Sequence, residues 1–215
     1  MRSEELLALF AETEVFIFVF MEIVTKIKTF QRIIIKKTAW RGMCIFVLVF
    51  GAFSIFGTYV GIPLASGAIV NIRDFAPIMA GLSAGPIMGV VVGLIGGIHR
   101  FFLGGFTCIP CGLATILAGA IAGGVNYFYK GKLVGILPGI LVAIVVEVIH
   151  GGLTLLIARP LADAIDTIEV AIPAMMVANG LGVAIGIIIL EHTRELRRIS
   201  SLVQAKSGKK GLTGS

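Results

Sequence analysis

Apolar runs of roughly 20 residues recur along almost the whole chain, near Leu6–Val24, Met43–Ile62, Phe75–Phe102, Ile109–Phe128, Leu133–Ile157 and Val170–Leu190. Each is long enough, as a helix, to cross the ~30 Å hydrocarbon layer of a bilayer. Among 215 residues only 14% are charged and 57% are hydrophobic, whereas a soluble domain carries about 25% charged residues. The sequence therefore predicts an all-α integral membrane protein, a Gly-rich bundle of six or seven transmembrane helices. The third run is interrupted by Gly81, Gly85 and Pro86, and the stretch before it carries Arg73, so a broken or re-entrant segment is expected around 63–86.

The formal net charge of +6 does not point to nucleic acid, because the basic residues sit in short clusters between the apolar runs. Basic loops mark the cytoplasmic side of a membrane protein. The terminal segment HTRELRRISSLVQAKSGKK is basic and should be cytoplasmic. Counting back one span at a time puts Asp163, Asp166 and Glu169 outside, Lys130 and Lys132 inside, and the Arg100–Cys111 region outside. Six crossings then leave KIKTFQRIIIKKTAWR, with six basic residues, on the outer side. A seventh crossing within Pro63–Ala84 moves it inside, and the sequence leaves both counts open. The first run is interrupted by Glu12, Glu14 and Glu22 and is followed by no A-x-A site, so it reads as a retained helix. Residues 1–190 are expected to form one transmembrane domain, 191–206 a cytoplasmic helix, and 207–215 a polar disordered tail.

Cys44, Cys108 and Cys111 are too few and too odd in number for a disulfide framework. Cys108 and Cys111 match C-x-x-C, but with no second pair and no soluble βαβ context neither a metal site nor thioredoxin-like chemistry is expected. Three residues apart at a helix start, they are also poorly placed for a mutual disulfide. No nucleophile–base–orienter set is recognisable among the three histidines, and the chain reads as neither an enzyme nor a cofactor protein.

Gly85, Gly89, Gly93 and Gly97 recur every four residues and clear one helix face for close packing. The sharper signal is charge. An ionised residue at the membrane midplane costs at least about 2.5 kcal/mol, yet Arg73 and Arg100 stand in or beside runs otherwise fit for lipid. Each either pairs with Asp74 or Glu147, or holds a ligand. Guanidinium groups grip carboxylates through two hydrogen bonds, so the pair suits a small organic acid. His99 adjoins Arg100. Glu147 and His150, three apart, face the same way on a helix, and with Asn179 they are candidates for a coupling site.

NIRDFAPIMAGLSAGPIMGVVVGLIGGIHRFFLGG followed by TCIPCGLATILAGAIAGG, then Glu147, the IARP string at Ile157–Pro160 with Asp163, and PAMMVANGLG at Pro173–Gly182, occur in one order. Together they resemble the 5TM receptor domain of LytS/YhcK-type sensor histidine kinases, over roughly Gly57–Leu190. The resemblance implies a sensor in the bacterial inner membrane. Such a sensor binds an external small carboxylate, pyruvate for some members, and signals to a cytoplasmic kinase and response-regulator system, commonly as a homodimer. It implies ligand-binding roles for Arg73, Arg100 and Cys111, with Asn71, His99, Thr107 and Thr115 around them. Pyruvate-sensing members carry a serine one turn after that cysteine. This chain has Ala114 there, which leaves Thr115 or Thr107 to supply a hydroxyl. No kinase, PAS or GAF region follows residue 191 in these 215 residues, so the expectation is either a truncated receptor module or an output domain on a separate chain. A small-solute transporter is the competing class. Leu196, Ile199, Leu202 and Val203 recur at near-helical spacing, as a signalling helix requires.

Overall fold

A computed structural model describes residues 3–34, 40–64 and 67–212. Among the described residues it is an α-helical membrane domain of eight helices: α1 (Ser3–Lys26), α2 (Lys28–Ile34), α3 (Trp40–Tyr59), α4 (Phe75–Ala84), α5 (Pro86–Phe102), α6 (Cys108–Phe128), α7 (Ile136–Ile157) and α8 (Leu161–Leu212). Between α3 and α4 lies a two-stranded antiparallel ribbon, β1 (Ile62–Pro63) on β2 (Ile69–Val70), with Ile62 opposite Val70. Among the described residues, α3, α6, α7 and α8 are long and apolar enough to cross a membrane, while α4 and α5 are shorter apolar helices. The final residues of the polar tail expected at 207–215 lie outside the described ones.

Large apolar side chains lie exposed on the bundle surface, and several charged and polar groups sit inside an otherwise apolar interior. Leu48, Leu137, Leu141, Val148 and Leu156 face outward, whereas Arg73, Asp74, Arg100, Glu147, His150 and Asn179 are buried. Lipid takes the place of water around the bundle, so outward leucines cost nothing and inward charges must find partners within the protein.

The expected break falls at Gly85. Its φ of 95° with ψ of −179° is a region open essentially to glycine alone. Pro86 follows at the first position of α5, where its missing N–H is no loss. The chain therefore folds back. A methyl built on Gly89 would sit 2.8 Å from the Gly81 Cα, so α4 and α5 form a tight antiparallel hairpin. At 1.5 Å per residue, the ten residues of α4 extend only about 15 Å. Phe75 through Ser83 are all buried, which makes α4 the central post of the bundle.

Both arms of the hairpin lie on α6. A methyl on Gly81 would meet the Gly123 nitrogen at 2.6 Å, and one on Gly93 would meet the Thr115 carbonyl oxygen at 2.7 Å. The every-fourth glycines expected on one face thus have their counterpart in Gly112, Gly119 and Gly123 of α6, so that backbone rests on backbone. The contacts fix directions as well: α6 runs parallel to α4 (Thr115 beside Arg73, Gly123 beside Gly81) and antiparallel to α5. α7 and α8 are antiparallel, with Gly139 against Val183 and Ile187 and with Gly151 against Ile172. Gln31 of α2 accepts a hydrogen bond from Arg197 of α8, so the basic segment after α1 shares one end of the bundle with the basic end of α8. An aromatic stack through Phe30, Phe46 and Phe50 joins α2 to α3.

Candidate functional site

The site forms where α4 begins. Asn71 makes the turn that opens it: its side-chain oxygen accepts from the Arg73 N–H at 3.0 Å, and its amide donates to the Ile69 carbonyl at 2.7 Å. From α3, the Ser54 hydroxyl donates to the Arg73 carbonyl at 3.1 Å. Gly57 gives the turn room, since a methyl there would lie 3.0 Å from the Arg73 nitrogen. Arg73 and Asp74 are thereby fixed, both at 0% exposure, in the middle of the bundle.

The Arg73 Nε–H donates to the Thr115 hydroxyl at 2.6 Å and lies 3.6 Å from Asp74 Oδ1. Thr115 in turn donates within a fork formed by Asp74 Oδ1 at 2.6 Å and the Cys111 carbonyl at 3.0 Å. Nη1 and Nη2 of Arg73 have no hydrogen-bond partner. Of the two partners weighed for Arg73, then, Asp74 is taken and Glu147 is not. Arg100, 2% exposed, pairs with neither acid. Its Nη1 donates to the Gly104 carbonyl at 2.6 Å and its Nη2 to the Thr107 hydroxyl at 2.9 Å, which leaves Nε without a partner.

α7 and α8 close the other side. His150 Nε2 lies 3.2 Å from Cys111 Sγ. His150 Nδ1 lies 3.4 Å from Asp74 Oδ2 and 3.3 Å from Glu147 Oε2. Asn179 donates to Glu147 Oε1 at 2.8 Å and to the Asn71 carbonyl at 3.4 Å. Glu147, His150 and Asn179, candidates for coupling, thus join the arginine group instead of forming a separate site.

His99 sits apart. It is half-buried, with its ring 3.2 Å from the Tyr59 hydroxyl, because adjacent helix positions point about 100° apart. Cys44, Cys108 and Cys111 are free thiols. Sequence reasoning did not find the line Cys111–His150–Asp74, whose members come from three helices. Nor did it find Ser54. The one signal was local: an Asp beside an Arg inside an apolar run.

Residues 27–193 match the family described as 5TMR of 5TMR-LYT. The chain belongs to the LytS-type 5TM receptor domain family. Over 154 residues it is 34% identical to the sensor histidine kinase BtsS of Escherichia coli K12, covering 69% of this chain and 27% of that protein. It is 33% identical over 164 residues to the sensor histidine kinase YpdA of the same strain, covering 74% and 28%. To the sensor protein LytS of Bacillus cereus it is 35% identical over 123 residues, covering 50% and 21%. The chain thus spans between a fifth and a third of the length of these relatives. No solved structure matches it. As a member of this 5TM receptor family the chain is a multi-pass protein of the bacterial inner membrane.

Proposed function

We propose that this 5TM receptor domain senses a small external carboxylate, pyruvate before lactate or acetate, and reports it through α8 to a cytoplasmic histidine kinase and response-regulator system. The observation that carries this reading is Arg73: a buried guanidinium whose Nη1 and Nη2 are both without a partner. Those are the two donors that a carboxylate takes in its two-point mode. Arg100 supplies the second positive charge, held by Thr107, and Cys111 adjoins Arg73 through Thr115, which bonds both. Asn71 acts by shaping the turn, and His99 stands apart beside Tyr59. Thr115 is the hydroxyl nearest the family's serine position, which is Ala114 in this chain, and it orients Arg73.

We read the topology as seven crossings, with α4 the short one completed by the β1–β2 ribbon. Lys130 and α8 after Glu191 are cytoplasmic, and Thr107 and Asp163 are external. The shared end of Gln31 and Arg197 supports this count, since it places all the basic segments on one side. Residues 1–190 form the receptor, 191–206 the signalling helix, and 207–215 a polar tail. The exposed Leu196, Ile199, Leu202 and Val203 suit pairing with the same helix of a second copy. Calorimetric titration of pyruvate, lactate and acetate into the purified chain tests the ligand: saturable binding of pyruvate supports the reading, and heats equal to buffer for all three overturn it.

A further inference from the structure

We propose that Asp74, Glu147 and His150 form a binding site for one divalent transition-metal ion of the zinc or manganese kind. The three donor atoms Asp74 Oδ2, Glu147 Oε2 and His150 Nδ1 lie within 4.8 Å of one another. The imidazole nitrogen is 3.4 Å from one carboxylate oxygen and 3.3 Å from the other. Ligands held about 2.1 Å from a tetrahedral metal ion are separated by about 3.4 Å, which matches the two spacings from the imidazole, and the carboxylate oxygens lie within 4.8 Å of each other.

The second observation is how the three side chains divide their atoms. Each gives its outer atom to a neighbour. Asp74 Oδ1 accepts from Thr115, Glu147 Oε1 accepts from Asn179, and His150 Nε2 meets Cys111 Sγ. Each turns its inner atom toward the others: Asp74 Oδ2, Glu147 Oε2 and His150 Nδ1 are fully buried, with the imidazole nitrogen at ion-pair distance from both oxygens and no hydrogen bond to any of the three. Outer-atom partners of this sort orient ligands around a metal ion. Two carboxylate oxygens left bare in a membrane interior carry a penalty that a shared cation removes.

Charge and donor type narrow the occupant. With His150 neutral, two carboxylates against the Arg73 guanidinium leave one net negative charge. A divalent ion reverses that to one positive, on the same side as Arg100, and so favours an anion nearby. One imidazole with two carboxylates suits zinc or manganese better than calcium or magnesium, which take oxygen alone. Three protein ligands leave a position open to a further ligand. This inference does not rest on the carboxylate reading, because the metal is measured without any organic acid present.

The test uses the full chain in lipid nanodiscs, in a Cys44→Ser, Cys108→Ser background, stripped with a chelator and titrated with zinc chloride. The expected result is one zinc per chain by elemental analysis, a rise in melting temperature on zinc addition, and at least a tenfold loss of zinc affinity in both Glu147→Gln and His150→Ala. Cobalt should give visible absorption bands that weaken in the same variants. Wild-type protein that takes up no stoichiometric zinc and shows no thermal shift overturns the proposal. So does zinc binding of unchanged affinity in both variants. A proton on His150 Nδ1, seen by nitrogen NMR in wild type with zinc present in excess, overturns it as well, since the triad is then closed by a hydrogen bond. Because the first two readouts are taken on wild type, a variant that does not fold leaves the test intact.

Discussion

Thr115 accepts a hydrogen bond from Arg73 Nε at 2.6 Å, and its hydroxyl hydrogen faces Asp74 Oδ1 at 2.6 Å. One side chain of α6 thus serves both members of a buried ion pair on the N-terminal turn of α4, and it holds the guanidinium with Nη1 and Nη2 bare. Thr115→Val keeps the shape and removes the hydroxyl. It is expected to cost about 1–3 kcal/mol of stability, the penalty of leaving buried partners unsatisfied. Thr115→Ser should restore most of it. Thermal unfolding in detergent reads both variants, and a valine variant as stable as wild type removes this role.

Arg73→Lys retains the charge and loses the planar fork, so pyruvate affinity should fall by about one charge-assisted hydrogen bond, roughly 1.5–3 kcal/mol or ten- to a hundredfold. Arg100→Ala should weaken it further. Calorimetry on folded protein decides this. Unaltered affinity in both variants, with lowered thermal stability, assigns the arginines to the fold alone.

The glycine contacts between α4, α5 and α6 predict a graded packing series. A methyl at Gly93 would lie 2.7 Å from the Thr115 carbonyl oxygen, whereas one at Gly124 on the same α6 as Thr115 meets nothing within 4 Å. Gly93→Ala should therefore lower the melting temperature by several degrees, as expected for a loss of about 1–3 kcal/mol from overpacking. Gly124→Ala should be neutral or slightly stabilising through helix propensity. Equal melting temperatures for the two would contradict backbone-on-backbone packing.

Seven crossings give a labelling pattern that six do not. In a background without native cysteines, single cysteines at the exposed positions 103 and 163 should react with an impermeant reagent in intact cells. Those at 28 and 130 should react only after the membrane is opened. Six crossings would move position 28 to the reactive set, and labelling of 163 only in opened membranes would reverse the orientation. Accumulation of labelled pyruvate in proteoliposomes, against none in protein-free vesicles, would replace the sensor reading with transport.

Much of the bundle was legible because lipid imposes simple rules. Apolar length marks α3, α6, α7 and α8, and the break at Gly85 follows from a glycine before a proline. What periodicity does not encode is which helix answers which. The glycine face of α5 was visible, but its partner stripe on α6 was not, because Gly112, Gly119 and Gly123 are spaced unevenly for a four-residue repeat. The same holds at the site. Arg73, Arg100, Cys111 and Glu147 stood out as polar groups in apolar surroundings. That Asp74, rather than Glu147, pairs with Arg73 depends on the turn at Asn71 and on α6 and α7 arriving from 42 and 76 residues further along.

α8 carries Asn179, bound to Glu147 and to the turn before Arg73, on the same uninterrupted helix that carries Arg197. The 18 residue steps from one to the other span about 27 Å at 1.5 Å each. The proline inside this helix, Pro173, lies on the far side of Asn179. On the way from the polar cluster to the basic end the rod therefore contains no proline joint. On the proposed sensor reading, a small turn or lift at Asn179 would be carried to Arg197 along this one rod, as the twist of a screwdriver's handle reaches its blade.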